Sequence, residues 1–205
     1  WDQVAPIWTQ GTPMARSCYA GCFGSIAVDA VPFLSPRCVV PEILKRQSNG
    51  VFNDTAPIRF ASVTDGASHT MFVCETAVGA LWGFRSIEPT IVAGSNWWLS
   101  GNHGTTLASA MYPPNMFRRV SYAAMYNHAY GARSLHPSGL NVLMGDGSAR
   151  FVRETVETWP FNPGTGDPAG SRRVPGGWMT NLPRPGVWQA LATRSDGDSV
   201  PADGW

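Results

Sequence analysis

The stretch HPSGLNVLMGDGSARFV, residues 136–152, decides the fold because it contains a complete signal for a β-hairpin. Asp146-Gly147 lies between two apolar runs, and this dipeptide favours the tight primed turn that joins two antiparallel strands. Such a turn needs positive φ at both central residues, and it fixes the register of the flanking strands. The pairs predicted to share the core face are Met144 with Ala149 and Val142 with Phe151.

His136 and Asp146 are the side chains of this stretch that suggest an acid–base or metal-binding pair. A strand from Leu140 to Asp146 spans roughly 20 Å at about 3.3 Å per residue. A catalytic pair needs its donor and acceptor within about 3 Å of each other. The two side chains are therefore predicted to lie at opposite ends of the hairpin, Asp146 as a turn residue and His136 as a structural loop residue.

The spacing of these residues resembles a family motif. A histidine, nine residues, Asp146-Gly147 and a following Arg-Phe-Val are similar to the C-terminal motif of the prepilin-type H-x9-D-G proteins. Three further blocks agree with that family and occur in its order. They are SCYAGCFG at 17–24, IRFASVTDGASHTMFVCE at 58–75, which contains Asp65, Gly66 and Glu75, and VWQALATR at 187–194.

This family consists of exported bacterial proteins related to type IV pilins and pseudopilins. The resemblance implies an α+β fold, with an antiparallel β-sheet, few short helices and long Pro/Gly-rich loops, arranged as a pilin-like head. It also implies a long hydrophobic N-terminal helix that would pack on the sheet. The 205 residues, which begin at Trp1, contain neither the leader nor this helix, so the resemblance covers the globular head and leaves open a membrane anchor upstream of residue 1. Cys22, Cys74 and His69 depart from the Asn, Gly and Asn of the family pattern.

The composition indicates a weakly charged, loop-rich globular protein. The 205 residues suit one domain over 1–205, and the apolar content of 43% argues against disorder throughout. Charged residues make up 14%, and the formal net charge of +1 gives no electrostatic signal for nucleic acid. The four histidines lack metal-binding spacing, so no metal and no cofactor is predicted.

Two segments near the C-terminus are predicted to lack a packed core. Residues 160–186 are dense in Pro, Gly and Arg and read as a long loop or an arm against a neighbour. Residues 195–205 form an acidic tail. The aspartates of this tail resemble a loose calcium-binding cluster, but their spacing does not fit an EF-hand loop, which favours a solvated tail.

The remaining coarse assignment follows apolar periodicity and turn residues. Strands are predicted at 17–23, 70–75 and 117–125, and helical turns at 42–47, 60–64 and 187–193. Asp65-Gly66 is predicted to close the helical turn at 60–64, with glycine as its C-terminal cap.

The cysteines and tryptophans each leave two interpretations open. Four cysteines in an exported protein permit two disulfides, and buried free thiols are the alternative. The tryptophans either form a surface for a ligand or partner, or pack in the core or a subunit contact. The cysteines are Cys18, Cys22, Cys38 and Cys74, and the tryptophans considered are Trp82, Trp97, Trp98 and Trp188.

These observations lead to a structural hypothesis. The chain is expected to be a non-enzymatic subunit of an exported pilin-like filament or a large assembly in the periplasm or on the surface of a bacterium. Its partners would be copies of itself or other envelope subunits, with membrane contact only through a missing N-terminal helix. The alternative is an exported binding module that captures a glycan or small solute through a Trp-rich surface. An enzyme is the third hypothesis, with isolated histidines and carboxylates as its basis.

Overall fold

The structure is a computed structural model that describes most of the chain. The described residues are 15–27, 42–53, 57–78, 80, 96–98, 104–120, 125–174 and 179–197, without the side chains of residue 44 and residues 125–127. Cys38, Trp82, the part of the arm at 175–178 and the tail from residue 198 lie outside the described residues.

Among the described residues, five strands form the main β-sheet. They are β1 (Tyr19–Gly24), β2 (Met71–Glu75), β3 (Leu107–Ser109), β4 (Gly139–Met144) and β5 (Ala149–Arg153). Their spatial order is β3-β1-β2-β4-β5. The β1–β2, β2–β4 and β4–β5 pairs are antiparallel, whereas β3 runs parallel to β1. The α+β class is confirmed, but the sheet is mixed, because the long crossover from β1 to β3 allows parallel pairing.

Short helices and a small ladder complete the described elements. The α-helices are α1 (Glu42–Gln47), α2 (Met125–Tyr130) and α3 (Val187–Ala190), with 3₁₀ turns at Phe60–Ser62 and Met116–Arg118. Residues 160–186 include a two-stranded ladder of β6 (Arg172–Arg173) and β7 (Met179–Thr180). The predicted loop or arm therefore has some regular structure of its own. In the described part of the chain, no helix has the length and apolar character that crossing a bilayer requires.

The strand predicted at 117–125 is wrong. Asn115 adopts the left-handed conformation at φ 52° and turns the chain into the 3₁₀ turn at Met116–Arg118. Its backbone N–H donates to Ala132 O at 3.1 Å, which holds this turn next to the loop that precedes β4. The turn therefore breaks the apolar run that suggested a strand.

The β4–β5 hairpin forms, but its register differs by one residue from the prediction. Leu143 pairs with Ala149 and Leu140 with Val152. Gly147 has φ 86°, whereas Asp146 keeps negative φ, so the connection is a longer loop with a left-handed glycine instead of a two-residue primed turn. Because side chains alternate, the extra residue moves Phe151 to the exposed face and Val152 into the core.

The hydrophobic core lies on the face of the sheet opposite to Phe151, and α3 covers that face. Trp188 and Leu191 are fully buried with inward side chains of β1, β2 and β4. The Trp188 indole N–H donates to Tyr112 O at 2.9 Å, and Met71 N donates to Leu191 O at 2.7 Å. The segment that contains α3 is thus held to the loop after β3 and to β2 by hydrogen bonds as well as by apolar packing, and α3 confirms the predicted helical turn at 187–193. The side chains on the core face are Ala20, Cys22, Met71, Cys74, Leu140, Val142, Met144 and Val152.

Candidate functional site

His136 contacts a carboxylate on the neighbouring strand instead of Asp146. Its Nε2 lies 3.2 Å from Glu75 Oε1. The imidazole is about half exposed, whereas only 9% of the Glu75 side chain is exposed. Glu75 ends β2 next to the start of β4, so this contact fastens the loop before β4 to the neighbouring strand. Two residues of the quoted motif blocks therefore meet across 61 positions of the sequence.

The Glu75 carboxylate is surrounded by donors. Asn141 N donates to Oε2 at 2.7 Å and Asn141 Nδ2 to Oε1 at 3.2 Å. Burial on its own would raise the pKa of Glu75, but hydrogen bonds from Asn141 and Ser134, together with the His136 imidazole, outweigh burial and lower the pKa below its ordinary value. The carboxylate is therefore held ionised by groups of this chain, and its acceptor positions are occupied.

A second set of contacts, made by Asn115 and Arg118, holds the loop that carries His136. Asn115 Oδ1 accepts a hydrogen bond from Ser134 N at 2.7 Å, and Asn115 Nδ2 donates to Glu154 Oε2 at 3.1 Å. Arg118 donates to the same carboxylate at 2.7 Å and to His136 O at 3.2 Å. The loop that carries His136 is thus fixed at its backbone as well as at its imidazole.

Asp146 has a turn role, as predicted. Its Oδ1 accepts hydrogen bonds from Ser148 N at 2.9 Å and Ser148 Oγ at 2.7 Å. Those two bonds lower the pKa of Asp146, whose side chain is fully exposed. Strand β4 separates Asp146 from His136, so the structure confirms that the two lie at opposite ends of the hairpin.

Asp65 joins the second motif block to the last one. Its Oδ2 accepts from Asp196 N at 3.0 Å and its Oδ1 from Gly197 N at 3.0 Å. Asp65 N also donates to Arg194 O at 3.2 Å. The neighbouring Gly66 takes φ 95°, a conformation that glycine adopts readily, but the 3₁₀ turn ends at Ser62. Asp65-Gly66 therefore receives the C-terminal segment instead of capping a helix.

Arg133, which sequence reasoning did not single out, is a buried cation three residues before His136. The Arg133 guanidinium donates to His128 O at 3.1 Å, Ala129 O at 2.9 Å and Gly131 O at 3.0 Å, and also binds Asn96 Oδ1. Burial lowers the pKa of Arg133 to about 10, so it remains charged at neutral pH. Its carbonyl partners close the C-terminal end of α2, where a cation is favourable.

The three cysteines that the structure describes form no disulfide. Cys18, Cys22 and Cys74 are free thiols. Cys18 is exposed in a bend before β1, whereas Cys22 and Cys74 belong to the apolar core. Burial raises the pKa of Cys22 to about 12, and it also raises that of Cys74. The alternative of buried thiols therefore applies to Cys22 and Cys74.

The tryptophans divide between core and surface. Trp188 is completely buried, which removes it from the candidate interface and supports the core interpretation. Trp98 is 56% exposed, and Trp97 next to it is half-buried. Trp159, which the sequence did not single out, is buried and donates its indole N–H to Met111 O at 2.9 Å.

The outward side of β1, β2, β4 and β5, here called the outer face, is rich in exposed apolar side chains. The Phe72 ring packs edge-on against Phe52 and Phe60 at centroid distances of 6.3 and 6.2 Å. The half-exposed or exposed apolar side chains of this face are Tyr19, Phe52, Phe60, Leu143 and Phe151. Glu75 and Asn141 lie in the same cross-strand row, but they hydrogen-bond each other.

Comparison with protein families identifies a match for this chain. A family model described as "Protein of unknown function (DUF1559)" matches residues 35–158, which is more than half of the chain. The chain belongs to the DUF1559 family. The matched region of this DUF1559 member includes Asp65, Glu75, His136 and Asp146, whereas the blocks at 17–24 and 187–194 lie outside it.

The other two comparisons add nothing further. No curated protein and no solved structure matches this DUF1559 chain. Within the described residues, no group of three or more His, Cys, Asp or Glu side chains is arranged to hold a metal ion. Inference about function therefore rests on the DUF1559 match and on the contacts described above.

Proposed function

We propose that this DUF1559 protein is the globular head of an exported bacterial pilin-like subunit, which assembles into a filament or a large structure in the periplasm or on the cell surface. The observation that carries the proposal is the outer face. It exposes several large apolar side chains on one sheet surface, a feature that marks interaction sites in soluble proteins.

The polar groups of the outer face favour an apolar protein partner over a polar ligand. Glu75 accepts hydrogen bonds from Asn141 and His136, so its carboxylate has its acceptors occupied by the chain itself. A sugar or ion would have to displace these bonds, whereas an apolar surface would pack on Tyr19, Leu143 and Phe151 without breaking them. This supports assembly through the outer face.

The motif residues support a structural role as well. His136 and Glu75 fasten the loop before β4, and Asp65 fastens the segment after α3. These contacts position backbone, which is what a rigid assembly subunit needs. The proposal therefore assigns no catalysis and no cofactor to them.

The test is incorporation of the full-length protein into a high-mass assembly in its native bacterium. Phe60→Asp and Tyr19→Asp are expected to abolish incorporation, because each introduces a charge into the apolar outer face. Both side chains are more than half exposed, so the variants should keep the wild-type melting temperature within a few degrees. Ile43→Asp on α1 is the matched control, an exposed apolar residue outside the sheet.

Fractionation and protease accessibility of whole cells complete this test. The proposal predicts that the protein lies outside the cytoplasm and that only the outer-face variants fail to assemble. A cytoplasmic protein, or outer-face variants that assemble as the Ile43→Asp control does, would contradict it.

The second candidate is an exported binding module for a glycan or small solute. It draws on Trp98, whose exposed ring can stack on a sugar. Titration of the purified protein with glycans, followed by tryptophan fluorescence, separates the two candidates. The binding module would be favoured by saturable glycan binding that Trp98→Ala removes. In that case Phe60→Asp would be incorporated into assemblies to the same extent as the wild type.

A further inference from the structure

The two edges of the five-stranded sheet differ. At one edge, all three residues of β3 are buried. At the other edge, β5 has β4 on one side and no further strand on its other side among the described residues. Ala149, Phe151 and Arg153 of β5 are exposed. An open strand edge presents unpaired N–H and C=O groups that can pair with another chain.

The register of the hairpin shows which backbone groups point outward. Met144 N donates to Ser148 O at 2.9 Å, and Glu154 N donates to Ser138 O at 2.9 Å. Hydrogen-bonded pairs alternate along an antiparallel ladder, so Arg150 and Val152 direct their backbone groups towards β4. The N–H and C=O groups of the exposed residues between and beside them point away from the sheet.

The side chain of Phe151 does not block this edge. A Cβ placed on Gly139 of β4 would lie 2.6 Å from the Phe151 ring, so the ring leans inward over the glycine. The ring therefore lies on the outer face over β4 and does not project across the edge of β5. Gly139 thus permits both the packing of the ring and the exposure of the edge.

We infer that β5 pairs with β5 of a second copy of this chain, antiparallel and centred on Phe151, so that two five-stranded sheets join edge to edge. This inference rests on the proposed function, since it names one contact between subunits of the assembly. The occupant is a second copy because β5 can pair with itself in this register without placing like charges opposite each other.

Self-pairing centred on Phe151 opposes no like charges. Phe151 lies opposite Phe151 of the other copy, and the two outward-facing backbones exchange hydrogen bonds there. Arg153 lies opposite Ala149 of the other copy, and Arg150 lies opposite Val152. Because like charges directly opposite each other destabilise a sheet, this register avoids the penalty that two arginines in β5 would otherwise impose.

Charge substitutions at Ala149 test the contact in the purified protein by sedimentation velocity over a range of concentrations. Ala149→Glu places a carboxylate opposite Arg153 twice in each dimer, and it is expected to tighten the dimer about fivefold. Ala149→Arg opposes like charges twice and should weaken the dimer by about the same factor. Ile43→Glu and Ile43→Arg are matched controls, because Ile43 is an exposed apolar residue of α1 that lies outside the sheet.

A cross-link checks the register. In a Cys18→Ser, Cys38→Ser background, Phe151→Cys should form an intermolecular disulfide on oxidation, whereas Ile43→Cys should not, since only position 151 faces itself across the pairing axis. A protein that remains monomeric at all concentrations would overturn the inference, and so would equal effects of the Ala149 and Ile43 charge variants. Those results leave the proposed function intact, because outer-face assembly is scored separately with Phe60→Asp and Tyr19→Asp.

Discussion

At the scale of single residues, the most informative side chain is Glu75. It is a carboxylate with little exposure, yet its pKa lies below the ordinary value because donors from β4 and the His136 loop surround it. A buried acceptor stabilises a fold only when its donors are in place, and the loss of one partner leaves the others unsatisfied. Glu75 therefore acts as the centre of a local scaffold.

Glu75→Gln is expected to lower the free energy of unfolding by about 1–3 kcal/mol at pH 7, because an amide offers one acceptor atom where the carboxylate offers two. The folded pKa of Glu75 is depressed, so its stabilisation is present above the unfolded pKa of about 4.3 and is lost as pH falls through the folded value. The variant should therefore lose less stability than wild type on acidification.

Urea denaturation at a series of pH values measures this difference. The exposed Glu157→Gln is the matched control and should follow the wild-type pH dependence. An identical acid response of wild type and Glu75→Gln would show that the carboxylate contacts do not contribute to stability.

At the scale of elements, the hairpin shows what sequence can and cannot predict. The apolar runs and Asp146-Gly147 identified both strands, because these signals are local. The register was wrong by one residue, since an Asp-Gly pair suits a primed turn and also a longer loop with glycine in the left-handed conformation. Only the packing of Val152 in the core, which is a tertiary effect, selects between the two turns.

The candidate site shows the same limit. The sequence singled out Glu75 and His136 separately, but their contact spans 61 positions and depends on the pairing of β2 with β4. The strand at 117–125 failed because the left-handed Asn115 and its contact with Ala132 decide the local conformation there. Strand β3 has three residues, which is too short for an apolar periodicity to be detected. Its burial depends on neighbouring elements and not on a local pattern.

The hairpin turn yields a prediction of its own. Gly147→Ala is expected to destabilise the protein by about 1–2 kcal/mol through left-handed backbone strain alone. Among the described residues, apart from the two chain neighbours of Gly147, no atom lies within 4 Å of the added Cβ, so a steric clash does not contribute. Gly147→Asn should lose less than the alanine variant, because asparagine tolerates this conformation better. Thermal unfolding measures the series, and equal stability of all three proteins would contradict the turn described above.

At the scale of the whole molecule, contacts distant in sequence connect the C-terminal segment to the loop before the second motif block. Arg194 donates to Ser48 O and Gly50 O, both at 2.7 Å, and its N–H donates to Asn49 O at 3.0 Å. Asp65 binds the next residues of the same segment. The motif block at 187–194 thus links parts of the chain that are distant in sequence.

Arg194→Ala is expected to lower the free energy of unfolding by about 2–3 kcal/mol, because it leaves the carbonyls of the buried Ser48 and Gly50 without this donor. The stability of Arg194→Lys should lie between those of the wild type and Arg194→Ala, because one ammonium group reaches both carbonyls less well than a guanidinium does. Chemical denaturation measures the effect. The exposed Arg172→Ala is the control, and a loss as large as that of Arg194→Ala would contradict the assigned role.

The parallel pairing of β1 with β3, and the contact of Cys22 Sγ with Ala192 O at 3.7 Å, set the order in which the chain can fold. Strand β1 can pair with β3 only after residue 109 has been synthesised. Its core side is covered only after residue 192 has been synthesised. Contacts of such long sequence separation slow folding, because loop closure precedes the stabilisation that they bring. A nascent chain is therefore expected to leave the core side of β1 uncovered until residue 192 has been synthesised.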